Sequence, residues 1–403
     1  MWAFIVSLII PFLIWGPFVP DLIVSLSSLV FLGYVFKDRL FFYFTKKPLI
    51  IFFTFCLYCI LVSIFVAEDK FLSFESSLFY FRIGVFSCLI WYLLEQDKKI
   101  LNYFYYTLVI SFLALLLDGY IQFFLGTNII ELLKVENRIS SFFGDELIMG
   151  SYLSRLFPLL FALFIAKEKK KFELYFMILF FVLLNSLVLI SGERAAFFLY
   201  NLSLMFIIIF LKGHAKLRIV LSVGSLIVVI IFISCFDQVK NRMVSDPTIT
   251  MKKFIFTPAH DSLIRTAYNM FLDKPILGHG PKMFRVICKD EKYAVGITPC
   301  MTHPHNFYVQ LLAETGIIGF SFLFSAFAYV LYCAYRQFKS IVLRQKRYLT
   351  DYQVCLLAGI LITVWPLTTN GNFFNNWLMI VYSLPVGFYL HSIYVKNRGN
   401  ISF

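Results

Sequence analysis

Two histidines and two arginines carry most of the chemistry this sequence can offer. His303 and His305 stand two residues apart, just ahead of a long apolar run. A neutral imidazole is the side chain best poised to take a proton from a hydroxyl near neutral pH. The same residues also read as a loop histidine and a helix cap. A metal pair is disfavoured, because i,i+2 spacing does not bring two side chains onto one helix face and no Cys or carboxylate cluster accompanies them. Arg194 and Arg265 present planar, permanently charged forks that suit paired oxygens such as those of a diphosphate. Arg194, Arg265 and His305 together would grip a lipid diphosphate and deprotonate an attacking hydroxyl. The outer loops carry no Asp-x-Asp motif, so the arginines would supply the charge neutralisation that a metal ion often supplies.

Membrane helices must position these groups. The 403 residues are 60% hydrophobic, and 50 of them are Phe, well above a soluble domain. The excess lies in runs without a period-2 alternation, which predicts spanning helices and not barrel strands. Twelve runs are expected, at 2–19, 20–36, 48–66, 76–95, 100–123, 144–166, 172–190, 195–211, 217–236, 305–335, 352–369 and 373–394. The first lacks a basic leader and a small-residue cleavage site, so it reads as a retained helix. With the N-terminus inside, twenty Lys and Arg fall in cytoplasmic loops and four in the short outer loops. The positive-inside rule then places both termini in the cytoplasm. The net charge of +13 is thereby explained by topology and gives no reason to expect nucleic acid.

The predicted fold is an all-α polytopic membrane protein with about 12 transmembrane helices. It divides into helices 1–9 (residues 1–236), a large outer loop (237–304) and helices 10–12 with a cytoplasmic tail (305–403). Within the loop, Asp261–Asp273 reads as a helix with a carboxylate at its N-terminus. Lys274–Pro281 is turn-rich. Cys288 and Cys300 share this oxidising compartment and form a candidate disulfide; Cys56 and Cys59 read as packing residues inside the third helix.

Charges within apolar runs mark sites by default. Arg82, Asp118, Glu193 and Arg194 fall in the outer half, and Arg155 near the middle. Arg82 lies about 9 Å below the outer surface, counted from Ser76. A polar cavity below the large loop follows from that asymmetry. Each group has a plainer reading: Arg82 snorkelling or paired with Asp118, Arg155 as a buried hydrogen-bond hub, Asp118 as a helix cap, Arg194 as an interfacial anchor. Gly316 and Gly319 read as positions where helices pack closely. No broken helices or inverted repeats of the transporter kind are evident.

The string HPHNFYVQLLAETGIIGF (His303–Phe320) resembles the signature of the O-antigen ligase/polymerase superfamily. SGERAAFF, which carries Arg194, is similar to it too. So are DSLIRTAYNMFLDKPILGHGPKMF, which carries Arg265, and RISSFFGDELIMGSYLSRLFP. The likeness covers roughly residues 70–390. It implies a glycosyltransferase at the bacterial inner membrane whose active site faces the periplasm. The donor would be an undecaprenyl-diphosphate-linked glycan. The acceptor would be a sugar hydroxyl of lipid A–core for a ligase, or a lipid-linked repeat unit for a polymerase. The resemblance further implies metal-independent, inverting chemistry with no cofactor. The family histidine matches His305, its two periplasmic arginines match Arg194 and Arg265, and a fourth-helix arginine matches Arg82. Arg82, His303, Asn306, Glu314 and Arg155 are the candidate substrate-binding groups. His303 departs from the pattern, which leaves either histidine open as the base. The ligase reading is preferred, the polymerase reading is the alternative, and a twelve-helix transporter is the alternative of another class.

Overall fold

The computed structural model describes residues 1–135, 138–168, 170–245 and 257–394. The described residues are helical and contain no strand beyond two isolated bridges in the 127–138 loop. The helices are α1 (Trp2–Ser7), α2 (Ile9–Trp15), α3 (Phe18–Lys37), α4 (Lys47–Phe65), α5 (Lys70–Leu78), α6 (Arg82–Gln96), α7 (Lys99–Leu125), α8 (Met149–Ala166), α9 (Lys171–Ile190), α10 (Arg194–Phe210) and α11 (Ala215–Cys235). They continue with α12 (Asp237–Lys240), α13 (Pro258–Asp273), α14 (Phe284–Ile287), α15 (Phe307–Val342), α16 (Asp351–Thr363) and α17 (Asn376–Tyr394).

Among the described residues, nine helical stretches are long and apolar enough to cross a bilayer, and Trp2–Trp15, Arg194–Phe210 and Asp351–Thr363 are shorter apolar helices. Each predicted apolar run corresponds to one of these twelve. The chain is an all-α polytopic membrane protein.

Helix α8 lies at the centre, buried along most of its length. It packs against α16, α10, α7, α9 and α17. Lipid tails are as apolar as the side chains, so close van der Waals fit and polar pairing must hold such helices together. Small residues provide the fit. A Cβ added at Gly387 in α17 would stand 2.6 Å from the Ile90 Cβ and 2.9 Å from the Ser87 carbonyl of α6, so glycine sets that approach. Helix α11 shows the opposite surface, with Ile219, Leu226 and Ile230 exposed, as a lipid-facing helix requires.

Two departures from the predicted elements shape one end of the bundle. The first is a break in α15 at Gly316 (φ 62°, ψ −168°), where the sequence reading saw no broken helix and took Gly316 for a helix-packing position. The break frees carbonyls that would bond within the helix, and each finds a partner. The Ala313 carbonyl accepts from His279 N (3.1 Å) and that of Glu314 from Gly280 N (2.7 Å). The Thr315 carbonyl accepts from the Tyr58 hydroxyl (2.7 Å). The segment Lys274–Gly280 is thus docked on the break, with Ile317 N donating to the Pro275 carbonyl at 2.9 Å. A Cβ at Gly316 would meet the Ile276 oxygen at 2.2 Å, so only glycine fits. Gly319 faces its own Thr315 side chain instead of another helix.

The second departure is a loop at 364–375. The run 352–369 was read as one span, but α16 stops at Thr363. Pro366 disfavours helical backbone before it, and the Asn-rich stretch beyond folds back under the start of α15.

Candidate active site

Arg194 is the first residue of α10 and follows a tight turn with Gly192 at φ 73°. That turn is fixed from behind. Glu193 accepts from Gly150 N (2.6 Å), Ser151 N (3.1 Å) and Ser151 Oγ (2.6 Å). Its carboxylate therefore caps α8, where unpaired N–H groups favour a negative charge. Burial raises the Glu193 pKa, and the Ser151 bond and nearby Arg138 partly offset that. Arg138 Nε reaches the Ser191 carbonyl and Arg242 Nε the Gly192 carbonyl.

Opposite this turn, three imidazoles meet. The His303 and His305 ring centroids are 4.0 Å apart, and those of His260 and His305 are 5.1 Å apart, edge to face. Thr257 Oγ1 bonds His260 Nδ1 at 2.6 Å, and Thr302 Oγ1 bonds His303 Nδ1 at 2.9 Å. The Asn370 backbone is a hydrogen-bond partner of the His305 ring and partly offsets the effect of burial. All three pKa values are pushed down, first by burial. His305 falls to about 4, with His260 as a further cause. His303 falls to about 3, with His305 and Arg285 contributing. The His260 shift also reflects the charge of Arg194, which puts Arg194 beside this cluster. The rings are neutral at pH 7 and able to accept a proton. Among the described residues, no group of three or more His, Cys, Asp or Glu is arranged to hold a metal ion.

His305 has φ 56°, a left-handed backbone that is uncommon for a non-glycine residue. Two neighbours hold it there. Its carbonyl accepts from Asn370 N at 2.8 Å. Asn306 caps α15 by accepting from Tyr308 N and Val309 N, while its amide donates to the Pro366 and Thr368 carbonyls. Strained backbone persists only where its surroundings over-determine it.

The remaining predicted residues fall into two groups. Arg265, on the rim, forms an i,i+4 ion pair with Asp261 at 2.7 Å, and its side chain is 58% exposed. Its helix, α13, begins at Pro258 with Thr257 as N-cap, three residues earlier than predicted, and so carries His260 into the site. Deeper in, Arg155 bonds the Ile362 carbonyl and Asn370 Oδ1, with its guanidinium over Tyr382. Glu314 is buried and accepts from Phe284 N (3.1 Å) and Gln310 Nε2 (2.9 Å). Gln310 in turn bonds Asn372 and Phe373 N. Arg82 does not pair with Asp118. It bonds Asp21 at 2.6 Å and Ser25 at 2.9 Å on α3. Asp118 serves the 126–141 loop, accepting from Ile129 N, Asn128 and Ser141 Oγ. Cys288 and Cys300 are joined in a disulfide, Cα atoms 5.1 Å apart.

Sequence reasoning missed His260, Arg285 and the 364–375 loop. His260 lies one residue before the stretch in which Arg265 was noticed. The loop announces itself as four Asn between 370 and 376, too polar a run for an uninterrupted span.

A polytopic helical membrane protein with neutral histidines and an arginine gathered at one end is the class that fold and site define. Residues 178–324 match the family model described as O-antigen ligase. The match bears out the resemblance read from the sequence over 147 of the 403 residues. It contains Arg194, His260, Arg265, His303 and His305 and leaves Arg82 and Arg155 outside. Over 122 residues the chain is also 25% identical to the teichuronic acid biosynthesis protein TuaE of Bacillus subtilis (strain 168), covering 30% of this chain and 25% of that protein. The match thus spans about a quarter of that relative's length.

Proposed function

We propose that the protein transfers a glycan from undecaprenyl diphosphate to a sugar hydroxyl of lipid A–core, as an O-antigen ligase does. The observation that carries this reading is His305. Its ring is neutral at physiological pH, packs against those of His303 and His260, and sits on a backbone pinned by Asn370. In the proposed step, His305 takes the proton from the acceptor hydroxyl. The oxygen forms a bond to the anomeric carbon, and the bond from that carbon to the diphosphate breaks. The electron pair leaves on the lipid diphosphate, whose charge Arg194 and Arg265 balance. Displacement from the opposite face inverts the anomeric centre and uses no metal or cofactor.

Counted by loops, twenty Lys and Arg fall on the side of the bundle opposite the 237–304 segment and four in the short loops on its own side. By the positive-inside rule the site and the large 237–304 segment then lie on the non-cytoplasmic face; the resemblance to the O-antigen ligase family makes that face the periplasmic side of a bacterial inner membrane.

The likeness to a protein of teichuronic acid biosynthesis supports a second reading, in which the acceptor is another lipid-linked repeat unit and the protein is a polymerase. One assay separates the two. Purified protein is incubated in EDTA with the undecaprenyl-diphosphate glycan, with or without lipid A–core, and the products are resolved on a gel. Product formed only with lipid A–core and lost in His305→Ala supports the ligase. A ladder without lipid A–core supports the polymerase. No transfer with either acceptor overturns both.

A further inference from the structure

Beyond the base and Arg194, a second cationic group borders the site. Arg285 projects from α14, and Lys282 stands at its entry with φ 61°. Arg285 Nε and His303 Nε2 are both buried, and neither has a hydrogen-bond partner among the described residues. Buried polar atoms are nearly always paired, so these two orphans, on residues near enough for the charge of Arg285 to bear on His303, need a physical reason.

The backbone holds the two together. The Cys288–Cys300 disulfide ties the end of α14 to the loop that carries His303 three residues later. Glu314 accepts from Phe284 N and fixes the start of the same short helix. Arg285 is close enough to both His303 and Lys282 to disfavour protons there.

Two carboxylates bear on this group, buried Glu314 and exposed Glu75 of α5. Glu314 is engaged by Phe284 N and Gln310 and forms no ion pair with either cation among the described contacts. The cations are therefore not neutralised by direct contact.

We infer that Arg285 and Lys282, with His303, form a second oxyanion subsite that holds a carboxylate or phosphate of the glycan substrate beside His305. The inference rests on the proposed glycan transfer for its choice of ligand. A guanidinium and an ammonium flanking a neutral imidazole supply several donors and two positive charges, the chemistry that recognises a planar carboxylate or a phosphate. Arg285 bears on His303 and Arg194 on His260, both of which pack against His305, so one substrate can present two separate anionic groups near the base.

Thermal unfolding of the purified protein in detergent tests this at constant ionic strength. The probes are sodium glucuronate, inorganic pyrophosphate and neutral glucose. The expected result is a rise in Tm with one of the two anions and none with glucose. That rise is lost in Arg285→Gln, reduced in Lys282→Gln, partly kept in Arg285→Lys and retained in Arg194→Gln. A glucuronate response assigns the group to a sugar carboxylate, and a pyrophosphate response assigns it to phosphate. No rise with either anion, or a rise unchanged in Arg285→Gln and Lys282→Gln, overturns the subsite. If Arg285→Gln does not fold, Lys282→Gln and Arg285→Lys carry the comparison. Binding is read without turnover, so the outcomes separate. Arg285-dependent binding without glycan transfer sinks the proposed function alone. Transfer by a protein indifferent to these substitutions sinks the subsite alone.

Discussion

The imidazoles of His303 and His305 lie with ring centroids 4.0 Å apart, although i,i+2 residues on a helix point apart. The left-handed backbone at His305 turns its ring back toward His303. Protonating either ring would place a charge against its neighbour. With pKa values of about 3 and 4, both are neutral across the physiological range. The proposed base is thus fully active at pH 7, and the acid limb of kcat/KM is expected near pH 4 instead of near 6.5. An acid limb at pH 6–7 would contradict this. Stability follows the same sign. The unfolded chain binds protons at these histidines below about pH 6.5 while the folded chain does not. Their contribution is complete above pH 6.5 and declines as pH falls toward 4, which thermal unfolding across that window measures.

His305→Ala is expected to lower kcat by about 10²–10⁴-fold, the usual contribution of a general base, with KM little changed. His303→Ala should act mainly on KM if His303 belongs to substrate binding. The reverse pattern would exchange the two roles.

Glu193→Ala removes an acceptor from three donors at the start of α8. A loss of about 1–3 kcal/mol in stability is expected from donors left unpaired, together with reduced activity because Arg194 is the next residue. Normal Tm with normal turnover would show that the turn does not depend on this carboxylate.

Gly316→Ala drives a Cβ to within 2.2 Å of the Ile276 oxygen at a backbone conformation alanine rarely adopts. Undocking of the 274–280 segment is expected, seen as faster limited proteolysis there. An unchanged cleavage pattern would count against that docking.

Cys288→Ser opens a crosslink between residues 12 apart in sequence, for which a loss of about 2–4 kcal/mol is typical. A lower Tm is expected, matched by adding reductant to the wild type. No difference between oxidised and reduced protein would contradict a structural bond.

The membrane helices were legible because lipid imposes long apolar runs, and such runs cannot be mistaken for strands. Arg194 and His305 stood out as candidates because ionisable groups are conspicuous in such a chain. The partners of those groups were less so. Arg82 was placed near Asp118 because both lie toward one end, yet helix packing gives it Asp21. Nothing local to residue 82 encodes which neighbour faces it. The break at Gly316 is invisible in composition, because its freed carbonyls are satisfied by Tyr58 and by backbone 35 or so residues upstream. Glycine alone does not distinguish a close helix crossing from a left-handed hinge.

That break also separates two mechanical duties of one helix. A bilayer thicker or thinner than a spanning segment is met by changing the segment's tilt. Beyond Gly316, α15 runs on for 26 residues, to Val342, mostly facing lipid and tied to the bundle near its far end through Tyr329 and Gln337. The turns before it, from Phe307 to Thr315, are anchored to the 274–280 segment and to the 364–375 loop. Changes in membrane thickness are therefore absorbed on one side of Gly316, and the spacing of His303, His305 and Arg194 is insulated from the lipid in which the protein happens to sit.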